Sequence, residues 1–307
     1  MSFEWKGVFP ALLTLFTKNE QLDLDMFETN LAAQKEAGVH GVIIGGSLGE
    51  ASTITEKEKE ELTEFSVEYL NEDIPVIMNI AESTTADAIK QATNAKKWGA
   101  DGLMLLPPMR YKTDDRETIE YFKAVARSTD LPIMIYNNPH DYKIDTRPEM
   151  FDQLIDCKNI TALKESSRDV TNLTRMKNRF GDRINVLCGV DTLAMEELCL
   201  GADGWVAGLV DAFPKETVAI YNLVKAGKIE EATKIYRWFM PLLELDIHAK
   251  LVQYIKLAAT QTGIGSEYVR APRLTLVGEE RERILKIIND ALSKRPVLTT
   301  NKKGEYV

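Results

Sequence analysis

Eight short apolar runs, separated by stretches of helical spacing, constrain the fold of this 307-residue chain more than any other feature. The runs lie at residues 8–13, 41–45, 75–80, 102–106, 132–136, 160–164, 184–188 and 204–207. Most are apolar throughout instead of alternating with polar residues, as expected of parallel strands covered on both faces. Between them, residues 25–37, 55–69, 86–98, 116–127 and 191–200 place apolar side chains at helical intervals. Thr55 and Glu58 have the spacing of a capping box, and Gly38, Gly99 and Gly201 each follow a helical stretch, where a left-handed cap costs glycine least. A doubly wound open sheet would also alternate, but it usually declares a Gly-x-Gly-x-x-Gly turn opening onto a helix, and none is present. Eight units therefore predict a (β/α)8 TIM barrel, an α/β fold that typically takes about 250 residues.

After Ala212-Phe213-Pro214 the strand-like runs stop, and residues 216–226, 229–245, 249–262 and 279–292 read as helices. The expected organisation is a barrel over 1–212, a C-terminal helical region over 213–295 and a loosely held polar tail over 296–307.

Composition narrows the partners. The 38 Lys and Arg residues against 47 Asp and Glu give a net charge of -9, with the basic residues scattered among acids, so no nucleic-acid partner is expected. No run approaches the ~20 apolar residues that cross a bilayer, and the first 16 residues lack the basic start of a signal peptide. A cytoplasmic protein without membrane partners is the expectation. Cys157, Cys188 and Cys199 lack CxxC spacing, and His40, His140 and His248 are dispersed, so neither a metal site nor a redox site is expected.

Barrel enzymes carry their chemistry where strands end and loops begin, and three groups stand at such ends. Lys164 closes Ile160-Thr161-Ala162-Leu163. Desolvated at a barrel mouth, its amine would be driven toward the free form that attacks carbonyls; the alternative is a lysine snorkelling to water. Tyr136 ends Ile133-Met134-Ile135, and its phenol is either a proton carrier or a packing group with a satisfied hydroxyl. The segment from Gly45 and Gly46 through Ser47 and Leu48 to Gly49 and Glu50 is either a simple turn or a loop whose amides and hydroxyl hold a carboxylate.

Taken together, these segments resemble the dihydrodipicolinate synthase and N-acetylneuraminate lyase superfamily. Its pattern is a G-[ST]-[ST]-G-E loop after the second strand, a Y-N-x-P segment ending the fifth and a Schiff-base lysine ending the sixth. The likeness spans nearly the whole chain, including Gly189-Val190-Asp191 and the helical C-terminal region. It implies Lys164 as nucleophile, Tyr136 as proton relay, Gly46 and Ser47 as carboxylate-binding groups, no cofactor, and a homotetramer built from dimers.

Two departures narrow the implied activity. Leu48 stands where the synthases have a second hydroxyl, and Asp141 stands where they have an arginine. The tyrosine those enzymes contribute across a subunit contact aligns near Arg110, with Tyr111 beside it. Other segments, among them Tyr136-Asn137-Asn138-Pro139, Gly204-Trp205-Val206 and Trp238-Phe239-Met240-Pro241, are more similar to the 4-hydroxy-Δ1-pyrroline-2-carboxylate deaminases and the 2-keto-3-deoxy sugar acid dehydratases. The resemblance thus implies a small 2-oxo or 2-imino acid substrate, with Leu48, Asp141 and Val206 shaping its pocket. The implied product of the deaminase branch is 2,5-dioxopentanoate plus ammonia. A pyruvate-dependent aldolase or synthase and a catalytically silent oxo-acid-binding barrel are the alternatives.

Overall fold

Each apolar run becomes a buried strand in the computed structural model, which describes residues 3–108, 111–300 and 304–307. The strands are β1 Gly7–Pro10, β2 Val42–Ile44, β3 Val76–Ile80, β4 Gly102–Leu105, β5 Ile133–Asn137, β6 Ile160–Glu165, β7 Asn185–Cys188 and β8 Gly204–Ala207. They pair in parallel in the order β1-β8-β7-β6-β5-β4-β3-β2. A parallel bridge between Ala11 and Ile43 brings the first and second strands together, so the sheet wraps into the expected barrel. Several strands are shorter than their apolar runs. β1 stops at Pro10, for example, because the Leu13 N–H turns to the Asp211 carboxyl (3.0 Å) instead of to a neighbouring strand.

The helices are α1 Leu24–Ala37, α2 Glu56–Leu70, α3 Thr85–Lys97, α4 Asp115–Arg127, α5 Pro139–Tyr142, α6 Pro148–Leu154, α7 Val170–Phe180, α8 Ala194–Cys199, α9 Pro214–Lys225, α10 Ile229–Leu243, α11 Leu251–Gln261 and α12 Gly278–Leu292. The capping box at α2 forms: the Glu58 N–H donates to Thr55 Oγ1 (3.2 Å) and the Thr55 N–H to Glu58 Oε2 (2.8 Å). Gly38 ends α1 at φ 81°, the left-handed region its missing Cβ permits. The run read as a helix over 191–200 is split. Asp191–Leu193 is a 3-10 turn because the Asp191 carboxylate accepts from Trp205 Nε1 (2.8 Å) and the Leu209 N–H (2.8 Å), which holds that turn against the end of β8.

Helix α9 lies on the barrel against β1, β8 and α1, and α10, α11 and α12 pack beyond it. Two features tie this region to the barrel mouth. The first is an ion pair with no solvent exposure at either end, Lys256 Nζ of α11 to Glu50 Oε1 of the β2–α2 loop at 2.6 Å. The second is the α10–α11 link, which carries Asp246 to the cavity described below. Described residues of the tail bond to one another and to α9. Thr299 and Val307 exchange backbone hydrogen bonds (3.2 and 2.9 Å), and Asn222 Nδ2 donates to the Tyr306 carbonyl (3.0 Å). No helix of the described residues is long and apolar enough to cross a membrane.

Candidate active site

Parallel pairing places Tyr136 of β5 beside Lys164 of β6, one register step before both strands end. Alternation along a strand then separates neighbours. Lys164 faces the barrel mouth, whereas Glu165 turns away, accepting from the Ser167 N–H (2.5 Å), from Asn137 Nδ2 (3.3 Å) and from Asn172. A cavity of about 90 Å³ opens at this mouth, and Gly46, Ser47, Leu48, Tyr136, Asp141, Lys164 and Val206, all singled out in the sequence, line it together.

Lys164 is 7% exposed, and its Nζ lies 4.0 Å from the centroid of the Tyr136 ring. Burial lowers its ammonium from 10.5 to about 8, partly offset by the carboxyls of Asp246 and Asp191. Its stem needs the absence of a side chain at Gly189, where a Cβ would come within 2.7 Å of Lys164 Cγ and Cε. Tyr136 is buried as well, and that burial raises its phenol to about 12. Asn138 Nδ2 donates to Tyr136 Oη (3.2 Å) and to Asp141 Oδ2 (2.7 Å), joining those two groups.

The β2–α2 loop forms the opposite wall. Leu48 is buried and presents an apolar face, while Ser47 is exposed at the rim. Among the described residues, no protein acceptor takes the N–H of Ser47 or of Leu48, which leaves two donors of the kind that bind carboxylates. Gly49 closes the turn tightly, since a Cβ there would stand 2.8 Å from the Leu12 carbonyl oxygen.

Several groups at the site escaped the sequence reading. Tyr142, at the end of the single-turn α5, hydrogen-bonds the Ser47 hydroxyl and sets its ring edge-on to Tyr136 with centroids 5.7 Å apart. Its position one turn after Asn138 was the available signal. Of the two residues aligned with the cross-subunit tyrosine, Arg110 lies outside the described residues, and Tyr111 is 58% exposed and does not line the cavity. Asp246 also lines the cavity, as does Arg168, which is exposed, makes no ion pair among the described residues and adopts φ 65°. A left-handed arginine costs about 1 kcal/mol that glycine would not. Asp141 is itself exposed at the cavity edge, so solvent weakens the repulsion it exerts on a second carboxylate, and Arg168 puts a cation on the same cavity.

A parallel (β/α)8 barrel whose cavity encloses a lysine at its C-terminal mouth defines an α/β-barrel enzyme. The chain belongs to the dihydrodipicolinate synthetase family, whose model matches residues 4–291. It is similar to the 4-hydroxy-tetrahydrodipicolinate synthase of Methanothrix thermoacetophila, 31% identical over 296 residues, covering 96% of this chain and 98% of that one. The corresponding synthase of Exiguobacterium sibiricum is 33% identical over 273 residues, covering 89% and 92% of the two chains. Among solved structures, dihydrodipicolinate synthase from Thermotoga maritima superposes with a TM-score of 0.88 at 27% identity, covering 94% of this chain and 98% of that one. A Bacillus anthracis dihydrodipicolinate synthase superposes with a TM-score of 0.90 at 26% identity, covering 94% and 99%.

Proposed function

We propose that this enzyme forms a Schiff base between Lys164 and a small 2-oxo or 2-imino acid, and that its substrate is 4-hydroxy-Δ1-pyrroline-2-carboxylate. The observation that carries the reading is the Lys164 amine, enclosed beside Tyr136 with its ammonium lowered to about 8. The unpaired N–H groups of Ser47 and Leu48 would hold the single carboxylate. Lys164 would then add to C2, opening the ring to an iminium that acidifies C3. Loss of the C3 proton expels the C4 hydroxyl, and the enamine so formed tautomerises and hydrolyses to 2,5-dioxopentanoate and ammonia. Tyr136 carries protons, with its hydroxyl held by Asn138 and its neighbour Tyr142 reaching Ser47. The apolar faces of Leu48 and Val206 suit a compact ring bearing one hydroxyl better than a second acid group.

A second reading has an observation of its own. Arg168 at the cavity, together with relatives that are 4-hydroxy-tetrahydrodipicolinate synthases, favours condensation of pyruvate with an acidic aldehyde. Ammonia and pyruvate measured in one assay separate the two. Ammonia released from 4-hydroxy-Δ1-pyrroline-2-carboxylate without pyruvate is the expected result, whereas consumption of pyruvate with aspartate semialdehyde and no ammonia from the imino acid would replace the deaminase reading by the synthase.

Tyr136→Phe keeps the ring beneath Lys164 and removes only the hydroxyl. Turnover is expected to fall on the order of 10²-fold, the scale for removing a general acid–base group, with the thermal midpoint little changed. Wild-type turnover in this variant would return Tyr136 to a packing role.

A further inference from the structure

The cavity holds a carboxyl that no motif points to. Asp246 arrives from the α10–α11 link and lines the cavity together with Lys164. It packs against Gly208, where a Cβ would stand only 2.6 Å from Asp246 Oδ1. Tyr236 of α10 donates to the Asp191 carbonyl (3.0 Å). The position of Asp246 at the Lys164 cavity is therefore built from both sides, by its close approach to the side-chain-free Gly208 and by the Tyr236 hydrogen bond that anchors the preceding helix.

We propose that Asp246 is the proton donor for imine formation at Lys164 and the counter-ion of the resulting iminium, an inference that rests on Lys164 being the Schiff-base nucleophile. The titratable groups facing it are Asp191 from the β7–α8 link, Lys164 from β6 and Asp141 from α5, with Asp211 behind and Arg168 on the same cavity. Burial, then the Asp191 carboxyl, pushes the Asp246 carboxyl well above its usual range, and Lys164 opposes that shift. The raised Asp246 carboxyl and the free fraction of the Lys164 amine can thus meet in uncharged forms, which avoids bringing two isolated charges together in the cavity.

With a ketone such as pyruvate, the amine adds to C2 to give a carbinolamine. Asp246 then gives its proton to the carbinolamine hydroxyl, the C–O bond breaks as water leaves, and the nitrogen lone pair closes the C=N bond. Amine, ketone and carboxylic acid become iminium, water and carboxylate, with charge and atoms conserved. Burial raises the Tyr136 phenol to about 12, which disfavours it as the donor for this step at neutral pH. The new carboxylate stays beside the new cation, which offsets the cost of burying it.

Pyruvate trapping by borohydride, followed by intact mass across a pH series, tests this in wild type and Asp246→Asn. The variant is expected to form the adduct about 10²-fold more slowly at pH 7. The fall in the wild-type rate as Asp246 ionises is expected to vanish in the variant, while the rise toward pH 8 set by Lys164 persists. A purely structural role for Asp246 would not alter the shape of the pH profile. An unchanged rate and profile overturn the proposal. If Asp246→Asn does not fold, difference infrared spectra of the wild type decide: pyruvate must remove a neutral carboxyl band, and no such loss is an equally direct refutation. An adduct on another lysine, or none in wild type with either pyruvate or 4-hydroxy-Δ1-pyrroline-2-carboxylate, defeats the Schiff-base reading and the proposal with it; an adduct at Lys164 with an unaffected Asp246→Asn defeats the proposal alone.

Discussion

Lys164→Ala is expected to lose turnover by at least about 10⁴-fold while keeping its fold, because no other group in the cavity supplies a covalent electron sink. The wild-type rate of imine formation should rise about tenfold per pH unit toward pH 8, where half of the Lys164 side chains become free amine. At pH 7 a larger share of this amine is then free than for an ordinary lysine. The sign for stability is opposite to that of a paired lysine. The folded value, about 8, lies below the unfolded 10.5, so the unfolded chain binds more protons between those pH values. The cost of burying the ammonium is present in full below pH 8 and fades as the pH rises toward 10.5. Lys164→Met, which removes that cost, should be more stable than wild type at pH 7 and inactive. A variant that is both unstable and inactive would make Lys164 a structural residue.

Lys256→Met is expected to lose about 3–5 kcal/mol of stability, because it strands Glu50 inside the protein. Glu50 is fully buried, and among the described residues it would without Lys256 retain only the more distant Arg273 Nη1 (3.5 Å) and the Arg270 N–H (3.3 Å). Burial already lowers the Lys256 ammonium to about 8, although the Glu50 carboxylate opposes the shift, so the pair holds its position at a desolvation cost. Replacing both partners, Glu50→Gln with Lys256→Met, should therefore destabilise less than Lys256→Met alone. Glu50 also ends the loop that bears Ser47 and Leu48, at φ 55°, so the single variant should weaken substrate binding as well. Urea unfolding of the three variants reads the difference. A loss below about 1 kcal/mol in Lys256→Met would show that the helical region is held to the barrel by apolar packing instead.

The barrel was legible because buried parallel strands leave continuous apolar runs, and these survive in a single sequence whatever surrounds them. Helix α7 was not, since only Asn172, Leu173 and Met176 of its eleven residues are buried and its apolar stripe is thin. Lys164, Tyr136 and the Gly46–Leu48 loop were legible because each sits at the end of a strand, where reactive side chains interrupt an apolar pattern. Asp246 and Arg168 offered no such contrast. Asp246 stands in a polar link after α10, and Arg168 in a Ser-Ser-Arg-Asp turn that reads as ordinary surface. Only the docking of α10 and α11 over the mouth, and the left-handed backbone at Arg168, bring these two groups to the cavity. Sequence spacing likewise gave no sign that Asp141 is exposed or that Arg168 lines the same cavity, so Asp141 does not by itself exclude a second carboxylate.

The most direct test of covalent chemistry at Lys164 is borohydride reduction in the presence of 4-hydroxy-Δ1-pyrroline-2-carboxylate, read by intact mass and peptide mapping. A single stable addition on the peptide carrying Lys164, absent from Lys164→Ala, is the predicted result. An addition on any other lysine, or turnover of the imino acid with no reducible intermediate, would contradict it.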